Sequence, residues 1–186
     1  MRCGIDVGGT KIETAILSDS GEFLFRERIN TPNNYLAMIH AIRAGVETAT
    51  KDTGYSGPVG ICMPGSVSKK TGLIQGANTT YLNGQNFQKD LQATLNVAVR
   101  LSNDANCFAL SEAVQGAGAG ANVVFGVIIG TGCGGGIVVN GHLVSGVNGI
   151  AGEWGHTPLP WPVANEFDDH DCWCGKTGCL ETYISG

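Results

Sequence analysis

Cys172, Cys174 and Cys179 stand within one short stretch, CWCGKTGCLE. Clustered thiolates are metal ligands, and tetrahedral Zn2+ takes four N or S donors. The fourth donor must be a nearby histidine, His156 or His170. His170 is only two residues from Cys172, which crowds the coordination geometry, whereas His156 can fold back over a loop carrying Pro158, Pro160 and Pro162. His156 is therefore the preferred ligand. Four protein donors close the coordination sphere, so zinc here is expected to be structural. An imidazole that ligates through one nitrogen can offer the other to a substrate hydroxyl. Glu153 precedes His156 by three positions and Glu181 follows Cys179 by two, so both are candidate hydroxyl ligands. A glutamate at 181 equally suits the first turn of a helix, where the dipole favours negative charge.

A second kind of chemistry is written in glycine. Asp6-Val7-Gly8-Gly9-Thr10-Lys11 lies between two apolar segments. It is neither a P-loop nor a Rossmann fingerprint, since both of those open a helix. Successive backbone N–H groups in a tight corner still form an anion-binding concavity, and glycine leaves the approach clear. Thr10 adds a hydroxyl, Lys11 a positive charge, and Asp6 a carboxylate suited to Mg2+-bound water. One such corner alone reads as a hairpin turn. A second, Gly130-Thr131-Gly132, makes the pair a candidate grip on a polyphosphate.

Asp104 follows an apolar segment and opens a helical one. Ligands of α/β proteins bind at the carboxyl edge of the sheet. One aimed carboxylate suffices as the base for phosphoryl transfer, which depends mostly on positioning and charge stabilisation. Asn103 beside it suits a polyol. The bland alternative is a helix cap from Ser102, Asn103 or Asp104.

The elements that must position these residues follow from periodicity. Arg2 to Val7, Lys11 to Leu17 and Glu22 to Ile29 read as strands. Tyr35, Ile39, Ile42, Val46 and Ala49 repeat at helical spacing, with Gly54 as the stop. Val59 to Cys62 is a strand, Phe87 to Leu95 a helix, and Val97, Val99 and Leu101 one face of a strand. The next helix is expected to bury Cys107, Leu110 and Val114. A second β-rich unit then opens, with strands from Val123 to Ile129 and Gly136 to Val139 and a hairpin signal at Asn140-Gly141. The expected organisation is a first α/β domain over 1–118 and the start of a second over 119–186, the latter including a zinc loop over 156–179.

Composition narrows the class. Of 186 residues, 42% are hydrophobic, enough for a packed core. The formal net charge is −5, which argues against nucleic acid as a partner. No apolar run reaches the roughly 20 residues of a membrane span, and the N-terminus lacks the apolar core of a signal peptide. A cytoplasmic protein is expected. Seven cysteines cannot close a disulfide framework. Cys3, Cys62, Cys107 and Cys133 read as small core residues.

The motifs DVGGTK, PGSV, NDANC, GTGCGGG, GEWGH and CWCGKTGCLE, in this order, resemble the ROK family of bacterial sugar kinases and repressors. The resemblance runs through the whole chain. It implies an actin-like (ribonuclease H-like) sugar-kinase fold of the α/β class, with the first domain complete and the second cut short. It implies ATP, Mg2+ and structural Zn2+ as cofactors, a hexose as acceptor and a homodimer. By the same resemblance Gly8, Gly9, Thr10 and Lys11, with Asp6 near Mg2+, form the first phosphate corner and Gly130, Thr131 and Gly132 the second. Asp104 is the base. Asn103, Asp104, Glu153, His156 and Glu181 hold the sugar; His156, Cys172, Cys174 and Cys179 hold zinc. The stretches ANTTYLNGQNFQKDL and GEWGHTPLPW look most like the fructokinase/mannokinase branch, then the N-acetylglucosamine kinase branch, with glucokinase further off.

Family kinases run to about 300 residues, so the chain is expected to be a fragment with little turnover of its own, lacking the adenine pocket. Family repressors place a DNA-binding segment before the first corner, which here begins at Asp6; this favours a kinase over a sugar-sensing regulator.

Overall fold

A computed structural model describes residues 1–166 and 170–186. The chain divides into two compact units, Met1–Asp104 and Ala105–Gly186.

The first unit is built on a mixed five-stranded sheet. Strands β1 (Arg2–Val7), β2 (Lys11–Leu17) and β3 (Phe23–Asn30) form an antiparallel meander. Helix α1 (Tyr35–Thr53) crosses back to β4 (Val59–Met63), which lies parallel to β1. A two-strand ribbon, β5 (Ser66–Val67) and β6 (Ile74–Gln75), precedes α2 (Phe87–Leu95) and β7 (Val99–Asn103), which runs parallel to β4. The order is β3-β2-β1-β4-β7. Alternation in β1 and β2 sends Ile5, Val7, Ile12 and Ile16 into the core, where Met38 and Ile42 of α1 and Phe87 and Leu91 of α2 meet them.

Capping fixes the helices. The Asn34 side chain accepts from the Ala37 N–H, and Gly54 closes α1 in the left-handed region with its N–H on Thr50 O. The Tyr35 hydroxyl donates to Asp90 at 2.6 Å and so ties α1 to α2. Strand β7 begins at Val99, later than the Val97 expected. Val99 is the buried residue of the alternating set and the first to pair with β4, at Val59.

Helix α3 (Asp104–Gln115) belongs to the second unit from Ala105 onward, together with β8 (Val123–Ile129), β9 (Cys133–Val139), β10 (His142–Leu143) and a short α4 (Glu181–Ile184). The sheet of this unit has the order β10-β9-β8 and is antiparallel throughout. Asn140 and Gly141 both have positive φ, 49° and 76°, as a two-residue hairpin requires.

The expected face of α3 is corrected. Ala105 and Ala109 are buried, while Leu110 and Val114 are exposed and Cys107 is half-buried. The reason is close packing. A Cβ at Gly126 or Gly136 would come within 2.8 or 2.7 Å of the Ala109 Cβ, so only the small side chains of α3 fit over this glycine-rich sheet. The same packing groups α3 from Ala105 onward with the second unit, where the sequence reading had it in the first. Among the described residues no helix is long and apolar enough to cross a membrane.

Candidate active site and metal centre

In the first unit, β1 and β2 deliver the first corner. The Gly8 N–H donates to Lys11 O at 2.9 Å, and the Thr31 hydroxyl donates to Gly8 O at 2.8 Å. Gly9, Thr10 and Lys11 are exposed at the tip, and the Lys11 ammonium donates to the Asn30 side chain. Asp6 is exposed on β1 opposite Cys62 of β4. The Cys62 thiol donates to Asp6 Oδ1 at 3.1 Å. Cys62 is therefore half-buried and engaged with a carboxylate, a correction to its reading as core filler.

Asn103 ends β7, and its side chain donates to Gly65 O at 3.2 Å, joining the strand's carboxyl end to the PGSV turn. Asp104 is the exposed first residue of α3.

In the second unit, the chain from Gly152 onward is pinned to β9. The Trp154 indole N–H donates to Gly134 O at 2.7 Å. Gly155 is buried, and a Cβ there would lie 2.5 Å from Cys133 O. This close approach sets the position of His156 one residue later. Ala at 155 must push that turn off the strand, so Gly155→Ala is expected to cost about 2 kcal/mol, read as a lowered midpoint in thermal unfolding.

The cysteine loop closes on His156. The Cys172 N–H donates to Lys176 O at 2.8 Å and the Gly175 N–H to Cys172 O at 2.9 Å. Gly175 takes φ 84°, open to glycine, which lets the chain reverse directly after Cys174. Isolated bridges Pro158–Cys179 and Asp171–Thr177 complete the knuckle. The ligand atoms of His156, Cys172, Cys174 and Cys179 all lie within 4.8 Å of one another. His156 Nδ1 is 3.5 Å from Cys172 Sγ, and Cys174 Sγ is 3.6 Å from Cys179 Sγ. Bonds of ~2.3 Å to sulfur and ~2.0 Å to nitrogen in a tetrahedron place S···N pairs about 3.5 Å and S···S pairs about 3.8 Å apart. The donor set fits a tetrahedral, zinc-type ion. His170 instead packs its ring edge-on against Tyr183, with centroids 5.1 Å apart.

The thiols differ. Burial pushes Cys179 up to about 11, with hydrogen bonding to its neighbouring thiols adding to the rise. A backbone hydrogen bond at Lys176 holds Cys174 below the usual thiol range.

Glu181, the first residue of α4, is buried. Its Oε2 accepts from the Cys133 N–H at 2.7 Å, and its Oε1 accepts from the Trp173 indole N–H at 2.7 Å. One carboxylate thus ties the second corner, Gly130-Thr131-Gly132, to the cysteine loop. Within that corner the Gly130 N–H donates to Gly132 O, and Thr131 is exposed. Burial and the Glu181 charge raise the Cys133 thiol. Glu153 is exposed just before the Trp154–His156 turn.

A family model described as "ROK family" matches residues 2–186. The chain belongs to the ROK family. It is 40% identical to an N-acetyl-D-glucosamine kinase of Photobacterium profundum, covering 100% of this chain and 63% of that protein. It is 42% identical to an N-acetylgalactosamine kinase of a Shewanella species, covering 100% of this chain and 61% of that one. Among solved structures, a ROK hexokinase from Thermus thermophilus aligns with a TM-score of 0.83 at 31% identity, over 100% of this chain and 60% of its own. A ROK glucokinase from Streptomyces griseus, in complex with glucose and AMPPNP, aligns with a TM-score of 0.82 at 32% identity, over 99% and 57%. The chain therefore spans under two thirds of the length of these relatives, and its mixed α/β architecture is that of ROK structures.

Sequence reasoning passed over two residues of this ROK chain. Cys62 was absorbed into an apolar strand, and only the β1–β4 register shows that it faces Asp6. Trp173 drew no reading from the sequence, yet it meets both His156 and Glu181.

Proposed function

We propose that the full-length protein transfers the γ-phosphoryl group of ATP to a hexose hydroxyl, with fructose or mannose as the first expectation. The observation that carries the reading is the His156–Cys172–Cys174–Cys179 tetrad, which turns Nδ1 of the imidazole to a thiol and leaves Nε2 as the nitrogen to meet a sugar hydroxyl. Bound zinc supplies rigidity to this loop and fixes the tautomer of His156.

Asn103, Glu153, His156 and Glu181 orient the sugar. Asp104 takes the proton from the hydroxyl as its oxygen bonds to the γ-phosphorus and the bond from that phosphorus to the β-bridging oxygen breaks, releasing ADP. Gly8, Gly9, Thr10 and Lys11 hold one side of the polyphosphate, and Gly130, Thr131 and Gly132 contribute backbone donors as charge builds on it. Asp6 would hold Mg2+, which neutralises phosphate charge when bound.

Two relatives at 40% and 42% identity, named for N-acetyl sugars, favour a second reading with an N-acetylhexosamine as acceptor. Coupled ADP release by the full-length protein with fructose, mannose, glucose and N-acetylglucosamine separates the two. The expected outcome is one preferred sugar. No ADP above background with any of them would leave the fold as a non-catalytic sugar sensor.

A further inference from the structure

Trp173 sits between the metal ligands Cys172 and Cys174, where a side chain has no part in coordination. It is 68% exposed, although an indole gains far more by burial. It is also held by specific neighbours. Its N–H donates to Glu181 Oε1 at 2.7 Å, and its ring meets His156 edge-on, with centroids 5.0 Å apart and planes at 81°. A large aromatic surface is thus presented to solvent in a fixed orientation, directly beside two residues assigned to the sugar.

We propose that the indole face of Trp173 is a stacking platform for the apolar C–H face of the acceptor sugar, so that Trp173 helps to determine sugar affinity and choice. The inference rests on the sugar roles given above to His156 and Glu181. The physical basis is the electron-rich face of the ring, which attracts polarised C–H groups, together with the water displaced from both surfaces. Pre-orientation matters as well. The hydrogen bond to Glu181 restricts the side chain's rotamers before sugar arrives, so less conformational freedom is lost on binding. His156 and Glu181 read hydroxyls, and Trp173 reads the opposite character of the same molecule, as ligand sites combine apolar walls with a few placed polar groups.

The alternative is that Trp173 serves only to hold Glu181. Two variants of the full-length protein separate these roles. Trp173→Phe keeps an aromatic face and loses the N–H, whereas Trp173→Gln keeps an N–H donor and loses the face. Dissociation constants for fructose, mannose and N-acetylglucosamine are read by titration calorimetry, with zinc content as a check on the loop. The expected result is that Trp173→Phe stays within about threefold of the natural protein for its preferred sugar, Trp173→Gln weakens it about tenfold, and affinity for a non-hydrolysable ATP analogue stays unchanged in both. The proposal is overturned if Gln binds as well as Trp, if Phe binds as poorly as Gln, or if the natural protein binds none of the three sugars. Because the readout is sugar binding, absence of ADP release would count against the kinase reading while leaving this test intact.

Discussion

Replacing Asp104 with asparagine in the full-length protein is expected to lower kcat about a thousandfold, with the sugar KM changing less than threefold. The amide keeps the size and hydrogen-bonding reach of the carboxylate but cannot take the proton from the attacking hydroxyl. The choice of asparagine also answers the simpler account of this position. Asp104 opens α3, and Asn caps helix starts as well as Asp does. If Asp104 only supports the helix, Asp104→Asn leaves both kcat and the unfolding midpoint where they were. Steady-state kinetics beside a thermal melt therefore distinguish a proton acceptor from a cap, and an unchanged kcat removes Asp104 from the chemistry.

Loss of one metal ligand should have an effect of comparable size on structure. The purified protein is expected to carry about one zinc per chain, and Cys174→Ala to carry almost none. The thermal midpoint should fall on the order of 10 °C, because binding energy at a closed site is folding energy for the segments it joins. Among the described residues the loop is otherwise held by turn hydrogen bonds, two isolated bridges, the Trp173–Glu181 pair and the ring contacts of Trp173 with His156 and of His170 with Tyr183. Chelation of the natural protein should reproduce the variant's melt. Elemental analysis showing no metal in the natural protein, with all four thiol and imidazole groups reacting freely, would remove the centre from the account.

The candidate site residues and the elements that carry them were legible in the sequence to different depths. The donor tetrad was legible because ligand type and spacing are covalent facts, and the loop prolines allowed His156 to return. The hairpin strands β1 and β2 were legible because alternation, a glycine corner and alternation again leave one register that buries Ile5, Val7, Ile12 and Ile16. Helix α1 carried a 3.6-residue repeat and a stop at Gly54. In α3 the usual rule points the wrong way. Its buried face is alanine because the opposing sheet is glycine, so its larger apolar residues, Leu110 and Val114, face outward. Hydrophobic periodicity finds large buried side chains and is blind to packing by small ones.

Glu181 shows a different limit. Its offset from Cys179 suggested either a sugar ligand or a dipole-favoured helix start. The structure adds a third job that no local pattern contains: it joins the Cys133 N–H, 48 residues away in the chain, to the Trp173 indole. Long-range ties of this kind depend on where two loops end up, and neither loop announces its partner. Each carboxylate oxygen keeps a further lone pair, so the tether and a sugar contact are compatible.

Phosphorus NMR of the full-length protein with Mg2+, ATP and its preferred hexose tests phosphoryl transfer to sugar most directly. The account predicts loss of the γ-phosphate resonance with an equal gain of a sugar phosphomonoester and of ADP. ATP left intact, or converted only to ADP and inorganic phosphate, would contradict it.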